Sequence, residues 1–414
     1  MKSTSQAWTV VALLSVFMMI NTADRAVLGL AGPYIIRDLG LTNTQFGQIG
    51  SSFFLLYSLA ALVVGFLADR LSSRVILIAL VTIWSLAQAP LAFPVTFEAM
   101  IITRIALGAG EGPGYSVALN AVYKWFPDER RTVPSAIVAQ GASIGVVILV
   151  PLLNWIIVNK SWHYAFASLA VMGVMWVLAW MTFGSEGMLD DGAIDSTAAA
   201  PRRPYRELLA DRTIIGLWIG GFGSFWSYSL LITWIPSYFS ASLGIPKESL
   251  GAITALPWIA NTVVVLLVAT ASQAMLKRGV SSRYSRVYLA LFCVLSGGVL
   301  VSAASWFNEW STTQRLALLV IGVGLPTAIL ALLPPVIAER VPSSQRAGMI
   351  GIGQALVTLA GVVAPVVTGS IVDAGAGTAS GFEQGFLLCG AVLVVAPVLG
   401  MIVMGPKLAA PVRT

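Results

Sequence analysis

The sequence predicts an all-α membrane protein of twelve transmembrane helices arranged as two six-helix, pseudo-symmetric halves. Three observations carry that prediction. Of 414 residues, 57% are hydrophobic and only 10% are charged, against about 25% charged in soluble domains. The apolar residues gather into runs long enough to cross a bilayer as helices, near 8–31, 44–68, 74–93, 97–120, 132–158 and 162–183, then near 213–240, 248–272, 284–306, 313–338, 345–371 and 382–405. One long polar stretch, residues 184–212, divides these spans six and six. The domain reading is an N-terminal bundle at 1–183, a central linker at 184–212 and a C-terminal bundle at 213–414.

Charge sets the expected orientation. With both termini in the cytoplasm, the cytoplasmic loops and tails hold 18 of the 24 Lys and Arg residues. Outer loops hold only Arg37, Lys160, Lys247 and Arg315, and Arg25 and Arg104 fall inside spans. That asymmetry follows the positive-inside rule, and an even number of spans agrees with it. The linker is then cytoplasmic, and Tyr205–Ala210 within it reads as a short surface helix. The apolar run from Trp8 is too long for a signal peptide and reads as a retained first span. Because topology accounts for the basic residues, the net charge of +6 calls for no nucleic-acid partner. Cys293 and Cys389 lie in apolar spans as inert core residues. With a single histidine, His163, no multi-histidine metal site is available. A monomer in the bilayer is expected.

The fourth span, Phe97 to Asn120, carries Arg104 and Glu111 at membrane depth. A charge at mid-membrane costs roughly 3 kcal/mol on insertion scales, so two in one span need a reason. Seven residues separate them, placing both side chains on one helix face about 10 Å apart along the axis. Gly108, Gly110, Gly112 and Gly114 let a neighbouring helix approach closely, and Pro113 interrupts the backbone hydrogen bonding just after Glu111. The span reads as a helix with a polar working face inside a bundle. Its glycine pattern superficially suggests a dinucleotide loop, but no strand precedes it.

The halves also resemble each other. After span 2 comes Gly65-Phe-Leu-Ala-Asp-Arg-Leu-Ser-Ser-Arg74, and after span 8 a degenerate copy, Met275-Leu-Lys-Arg-Gly-Val-Ser-Ser-Arg283. Parallel halves with a substrate site between them are the plan of many secondary transporters. The first stretch resembles the cytoplasmic signature of the major facilitator superfamily, G-x-L-a-D-R-x-G-R, with serine in place of the second glycine. The resemblance implies the major facilitator fold and a loop in which Gly65, Asp69, Arg70 and Arg74 help set the conformational equilibrium.

Within that superfamily the chain resembles the anion:cation symporter family. Asn21-Thr-Ala-Asp-Arg25 is similar to its N-x-x-D-R, Arg104 with Glu111-Gly112 to its R-x6-E, and Gln140-Gly141 leading to Pro151-Leu152 to its span 5 pattern. Leu231-Ile-Thr-Trp-Ile-Pro-Ser-Tyr238 is similar to its span 7 ending. The chain departs from the sugar-acid members in three places: Thr22 stands where they carry tyrosine, Gln354 and Thr358 where they carry asparagines, and Ser161-Trp162-His163 where they read G-W-R. The resemblance therefore implies an organic anion, whether a monocarboxylate, a sugar acid or an aromatic acid.

The residues support specific roles. A guanidinium cannot be deprotonated and can hold a carboxylate bidentately, so Arg25 is expected to bind the substrate carboxylate, with Tyr57 and Gln140 around it. Glu111, with Arg104 as modulator, is expected to couple proton entry to turnover, and Asp24 to be a second proton site linked to Arg25, because a carboxyl whose arginine partner changes can load and release one. The structural alternatives are a buried Arg104–Glu111 ion pair and a static Asp24–Arg25 pair. The second half, with no charge at mid-span, should contribute shape and hydrogen bonding through Tyr228, Trp234, Trp258, Asn261 and Gln354. The function expected is proton-coupled symport importing a small organic anion by alternating access, driven by the proton gradient, with no cofactor and no metal. The alternative is a proton-driven exporter of drugs or metabolites. An enzyme is not expected, since neither a Ser/His/Asp set nor a metal-ligand cluster is present.

Overall fold

The protein is described here from a computed structural model covering residues 4–68, 71–127, 130–187, 203–307, 309–342 and 345–405. A chain segment in lipid must satisfy its backbone hydrogen bonds internally, so apolar runs of this length become helices. Among the described residues, eleven helices are long and apolar enough to span a bilayer. The fourth predicted span is the exception. It forms two shorter helices, and with it the arrangement is consistent with twelve crossings.

The chain divides into two compact units. The first comprises Met1–Ser196 together with Pro246–Ala255. It contains α1 (Thr4–Leu39), α2 (Asn43–Ala68), α3 (Ser73–Gln88), α4 (Phe97–Glu111), α5 (Gly114–Tyr123), α6 (Thr132–Asn159) and α7 (Trp162–Phe183). Helix α1 packs along α6 and touches α7, α2 runs against α4, and α3 lies against α4 and α7. The break between α4 and α5 falls at Gly112–Pro113, where proline supplies no backbone N–H to continue the helix.

The α2–α4 contact depends on two glycines one turn apart. A Cβ on Gly108 would stand 1.9 Å from the Phe53 carbonyl oxygen, and one on Gly112 2.0 Å from that of Tyr57. No larger residue fits, so the helices meet backbone to backbone. That approach brings Tyr57 alongside the turn that carries Glu111.

The second unit comprises Thr197–Ile245 and Leu256–Thr414. Its first helix, α8 (Tyr205–Leu209), is the short helix predicted in the linker. The helices α9 (Arg212–Thr233), α10 (Ile235–Ala241), α11 (Leu250–Lys277), α12 (Leu289–Trp306), α13 (Thr312–Gly324), α14 (Ala328–Arg340), α15 (Arg346–Ala374) and α16 (Thr378–Met404) follow, α11 starting within the first unit. Helix α9 packs on α15 and α16, and α12 on α13 and α16. Pro236 and Pro326 lie where α9 gives way to α10 and α13 to α14. Both cysteines are buried and unbridged.

Candidate functional site

Consecutive residues on a helix point about 100° apart, so Asp24 and Arg25 leave α1 toward different neighbours. Arg25 reaches α4: its Nε donates to Glu111 Oε2 at 2.8 Å, and its Nη2 donates to Asn21 Oδ1, one turn back on α1, at 2.7 Å. The guanidinium also sits over the Tyr57 ring, 5.2 Å from its centroid. Asp24 reaches α3 instead, where its Oδ1 accepts from Gln88 Nε2 at 2.8 Å. Asp24 and Glu111 are fully buried, and Arg104 is 1% exposed.

Asp24, expected to be linked to Arg25, makes its hydrogen bond to Gln88 instead, because adjacent residues leave α1 toward different neighbours. Glu111 is hydrogen-bonded to Arg25 across two helices, and no hydrogen bond joins it to Arg104, two turns away on its own helix. Arg104 lies instead over the Phe166 ring at 5.0 Å, within electrostatic reach of both Glu111 and Asp24. A cation–π contact of this kind favours the guanidinium but supplies no hydrogen-bond acceptor, and Arg104 Nε and Nη2 have no partner. The acid hydrogen-bonded to Arg25 is thus Glu111, and the hydrogen-bond partner of Asp24 is an amide.

The cluster is incompletely satisfied. Asn21 Nδ2, Asp24 Oδ2, Gln88 Oε1, Arg104 Nε and Nη2, and Glu111 Oε1 are all buried without a hydrogen-bond partner. Buried polar atoms are nearly always paired, and exceptions concentrated in one place call for an explanation in function. Free donors and free acceptors thus occur together in one cluster.

The other predicted residues divide. Gln140 on α6 is half-buried in the first unit. In the second unit Tyr228, Asn261 and Gln354 are half-buried, with Asn261 Oδ1 accepting from Thr327 Oγ1 at 2.9 Å and Tyr228 edge-on to Trp258. Trp234 does not stand on a cavity wall as the sequence suggests. It is wholly buried, donates Nε1–H to the Pro365 carbonyl at 2.9 Å, and packs against Phe382, so it belongs to the interior of its unit.

The second unit also holds a buried ion pair that sequence reasoning missed. Arg315, assigned to an outer loop, lies in α13 with its side chain 7% exposed, paired to Glu383 of α16. Tyr238 joins them, donating from Oη to Glu383 at 2.8 Å. Hydropathy gave no warning, because each charge sits within a few residues of a helix end.

Of the signature loop, Asp69 and Arg70 lie outside the described residues. Gly65 is exposed, with open space around it. Arg74 donates from Nη2 to the Met181 carbonyl at 2.7 Å. Beside it sits Glu186, which falls in the stretch read as linker yet is anchored to the first unit. Its oxygens accept from the backbone N–H groups of Ser73 (3.0 Å) and Arg74 (2.9 Å), at the start of α3, and from Lys124 Nζ at 2.5 Å. A carboxylate at a helix N-terminus satisfies free donors and complements the helix dipole.

Burial alone would push the Glu186 carboxyl up, but the hydrogen bonds from Lys124 and from the Arg74 and Ser73 backbone pull it below the usual range. Its stabilisation is therefore complete above the ordinary glutamate pKa, about 4.3, and is lost as pH falls through the lower value of the folded protein. The gap in unfolding temperature between wild type and Glu186→Gln should hold steady from neutral pH to about pH 5 and close below about pH 4. A gap indifferent to pH would show that the carboxylate charge plays no part in the anchor.

A many-helix membrane protein in two compact units, with a buried cluster of paired and unpaired charges in one of them, has the organisation of a secondary transporter. The sequence profile of the Major Facilitator Superfamily matches residues 14–326, and the chain belongs to that family of transporters. Among curated relatives it is 28% identical to the hexuronate transporter of Bacillus subtilis (strain 168) over 412 residues, covering 98% of this chain and 96% of the relative. It is 26% identical to a probable L-galactonate transporter of Escherichia coli (strain K12), covering 93% and 86%. Among solved structures it shares the fold of a bacterial homologue of the human lysosomal transporter Spinster, with TM-score 0.80, 17% identity and 97% and 98% coverage. The protein is thus a multi-pass membrane transporter and not an enzyme.

Proposed function

We propose that the protein is a proton-coupled symporter that imports a small organic anion by alternating access across the bacterial inner membrane, both termini being cytoplasmic. The observation that carries this reading is the Arg25–Glu111 pair, in which the wholly buried Glu111 keeps one oxygen unsatisfied. The substrate carboxylate and Glu111 compete for the same guanidinium. Protonating Glu111 weakens its hold and frees Arg25 to bind the substrate, with Tyr57 and Gln140 alongside; losing the proton restores the internal pair and expels the substrate. Proton and substrate therefore travel together.

Arg104 favours the return of charge to Glu111, and Asp24 is a second proton site. Tyr228, Asn261 and Gln354 provide shape and hydrogen bonds from the second unit. Gly65, Asp69, Arg70 and Arg74 tune the conformational change. The substrate class is supported by the relatives, which carry hexuronate and, by probable assignment, L-galactonate. The energy source is the proton gradient.

The test is uptake into proteoliposomes under an acidic-outside gradient, with labelled D-glucuronate, D-galactonate and benzoate offered in turn. Accumulation of one of them, abolished by a protonophore, is the expected result. Entry unaffected by the protonophore would sink proton coupling, and gradient-driven expulsion of a cationic dye with no acid uptake would favour the exporter.

A further inference from the structure

Gln88 is the last residue of α3, followed by a 3₁₀ turn at Ala89–Ala92 that contains Pro90. It is 1% exposed, and its amide faces a wholly buried carboxyl, that of Asp24. Only one of the two contacts such a pair can make is in place. Gln88 Nε2 donates to Asp24 Oδ1 at 2.8 Å, while Asp24 Oδ2 and Gln88 Oε1 both lack a partner. A charged carboxylate has no hydrogen to give, so Oε1 goes without a donor as long as Asp24 is ionised.

A proton on Asp24 Oδ2 changes this. The new O–H is a donor, and the unpartnered Gln88 Oε1 is the acceptor on the same amide. The two groups then close a ring of two hydrogen bonds, N–H to Oδ1 and O–H to Oε1, the pairing that carboxylic acids and primary amides adopt in apolar surroundings. In the charged state the surviving N–H bond is charge-assisted and correspondingly strong. A side-chain amide carries a donor and an acceptor in one plane, and this lets it partner the carboxyl in both states.

We propose that Gln88 is a positioning residue that holds the Asp24 carboxyl in one orientation whether or not it carries a proton. The proposal rests on the reading of Asp24 as a proton site given above. The proton comes from water on the acidic side, bonds to Asp24 Oδ2, and leaves from that atom to water on the other side; no other bond changes. The charged groups facing Asp24 are Glu111 and Arg104 from α4 and Arg25 from its own helix. Gln88 is the neutral partner among them, so its contribution is separable from theirs.

The experiment compares gradient-driven accumulation of labelled D-glucuronate with its counterflow exchange, in which no net proton movement is needed, using the full-length protein in proteoliposomes. Gln88→Met keeps the side-chain length but neither donates nor accepts. It should lose accumulation about tenfold or more while exchange stays within about twofold. Gln88→Glu, which in its acid form offers both a donor and an acceptor, should recover part of the accumulation and keeps the test open if the methionine variant folds poorly. Normal accumulation in Gln88→Met, or parallel loss of accumulation and exchange in both variants, would overturn the role of Gln88. A wild-type protein that ignores the gradient would overturn the proton-coupled reading, and this inference with it.

Discussion

Arg25→Lys should raise the substrate concentration for half-maximal uptake by about a hundredfold, the scale of losing charge-assisted, geometrically matched hydrogen bonds. Arg25 contacts Glu111, Asn21 and the Tyr57 face at once. An ammonium is a compact point charge on a flexible stem and cannot reproduce that planar fork. The charge is retained, so Glu111 is not left alone and the fold should survive. Arg25→Met is a different experiment. It strands a buried carboxylate, at a cost of about 3–5 kcal/mol, and its unfolding temperature should drop sharply. Replacing both partners with methionine should restore much of that stability, since a buried pair is often no better than well-packed apolar residues, yet leave uptake absent. Uptake kinetics and thermal unfolding on the four proteins separate binding from folding. Wild-type kinetics in Arg25→Lys would remove Arg25 from the substrate site.

Glu111→Gln should abolish gradient-driven accumulation, so that the substrate only equilibrates across the membrane, while counterflow exchange continues. The amide oxygen can still accept from Arg25 and resembles the protonated acid in shape, so the variant is locked in the form that frees the guanidinium. Asp24→Asn should weaken accumulation in the same assay, since it removes the second proton site but keeps an acceptor for Gln88. If both variants concentrate the substrate like wild type, neither acid carries the coupling proton. If exchange is lost as well, Glu111 acts in binding rather than in coupling.

Much of this was legible in residue order. The crossings follow from apolar run length, and the divide between halves from the one long polar stretch. The interruption of the fourth span is written in Gly112 and Pro113. Helical period alone puts Arg104 and Glu111 on one face of α4, whereas the link expected between Asp24 and Arg25 gave way in the fold to separate hydrogen-bond partners. Gln88 carried a usable signal too, as a polar side chain near the end of an apolar run, but nothing along the chain said which acid it would meet.

What the sequence determined by itself was the set of helices and, on each helix, which residues share a face, because these depend only on local geometry and on the absence of water in lipid. Packing decided the partners: Glu111 went to Arg25 and Asp24 to Gln88, Trp234 went into the interior, Arg315 was drawn from its supposed loop to Glu383, and Glu186 was drawn from the linker to the start of α3. Such choices rest on contacts between residues far apart in the chain, fixed by where glycines let backbones meet, as at Gly108 and Gly112. A helical repeat states the direction in which a side chain points, and the neighbouring helix settles what it finds there.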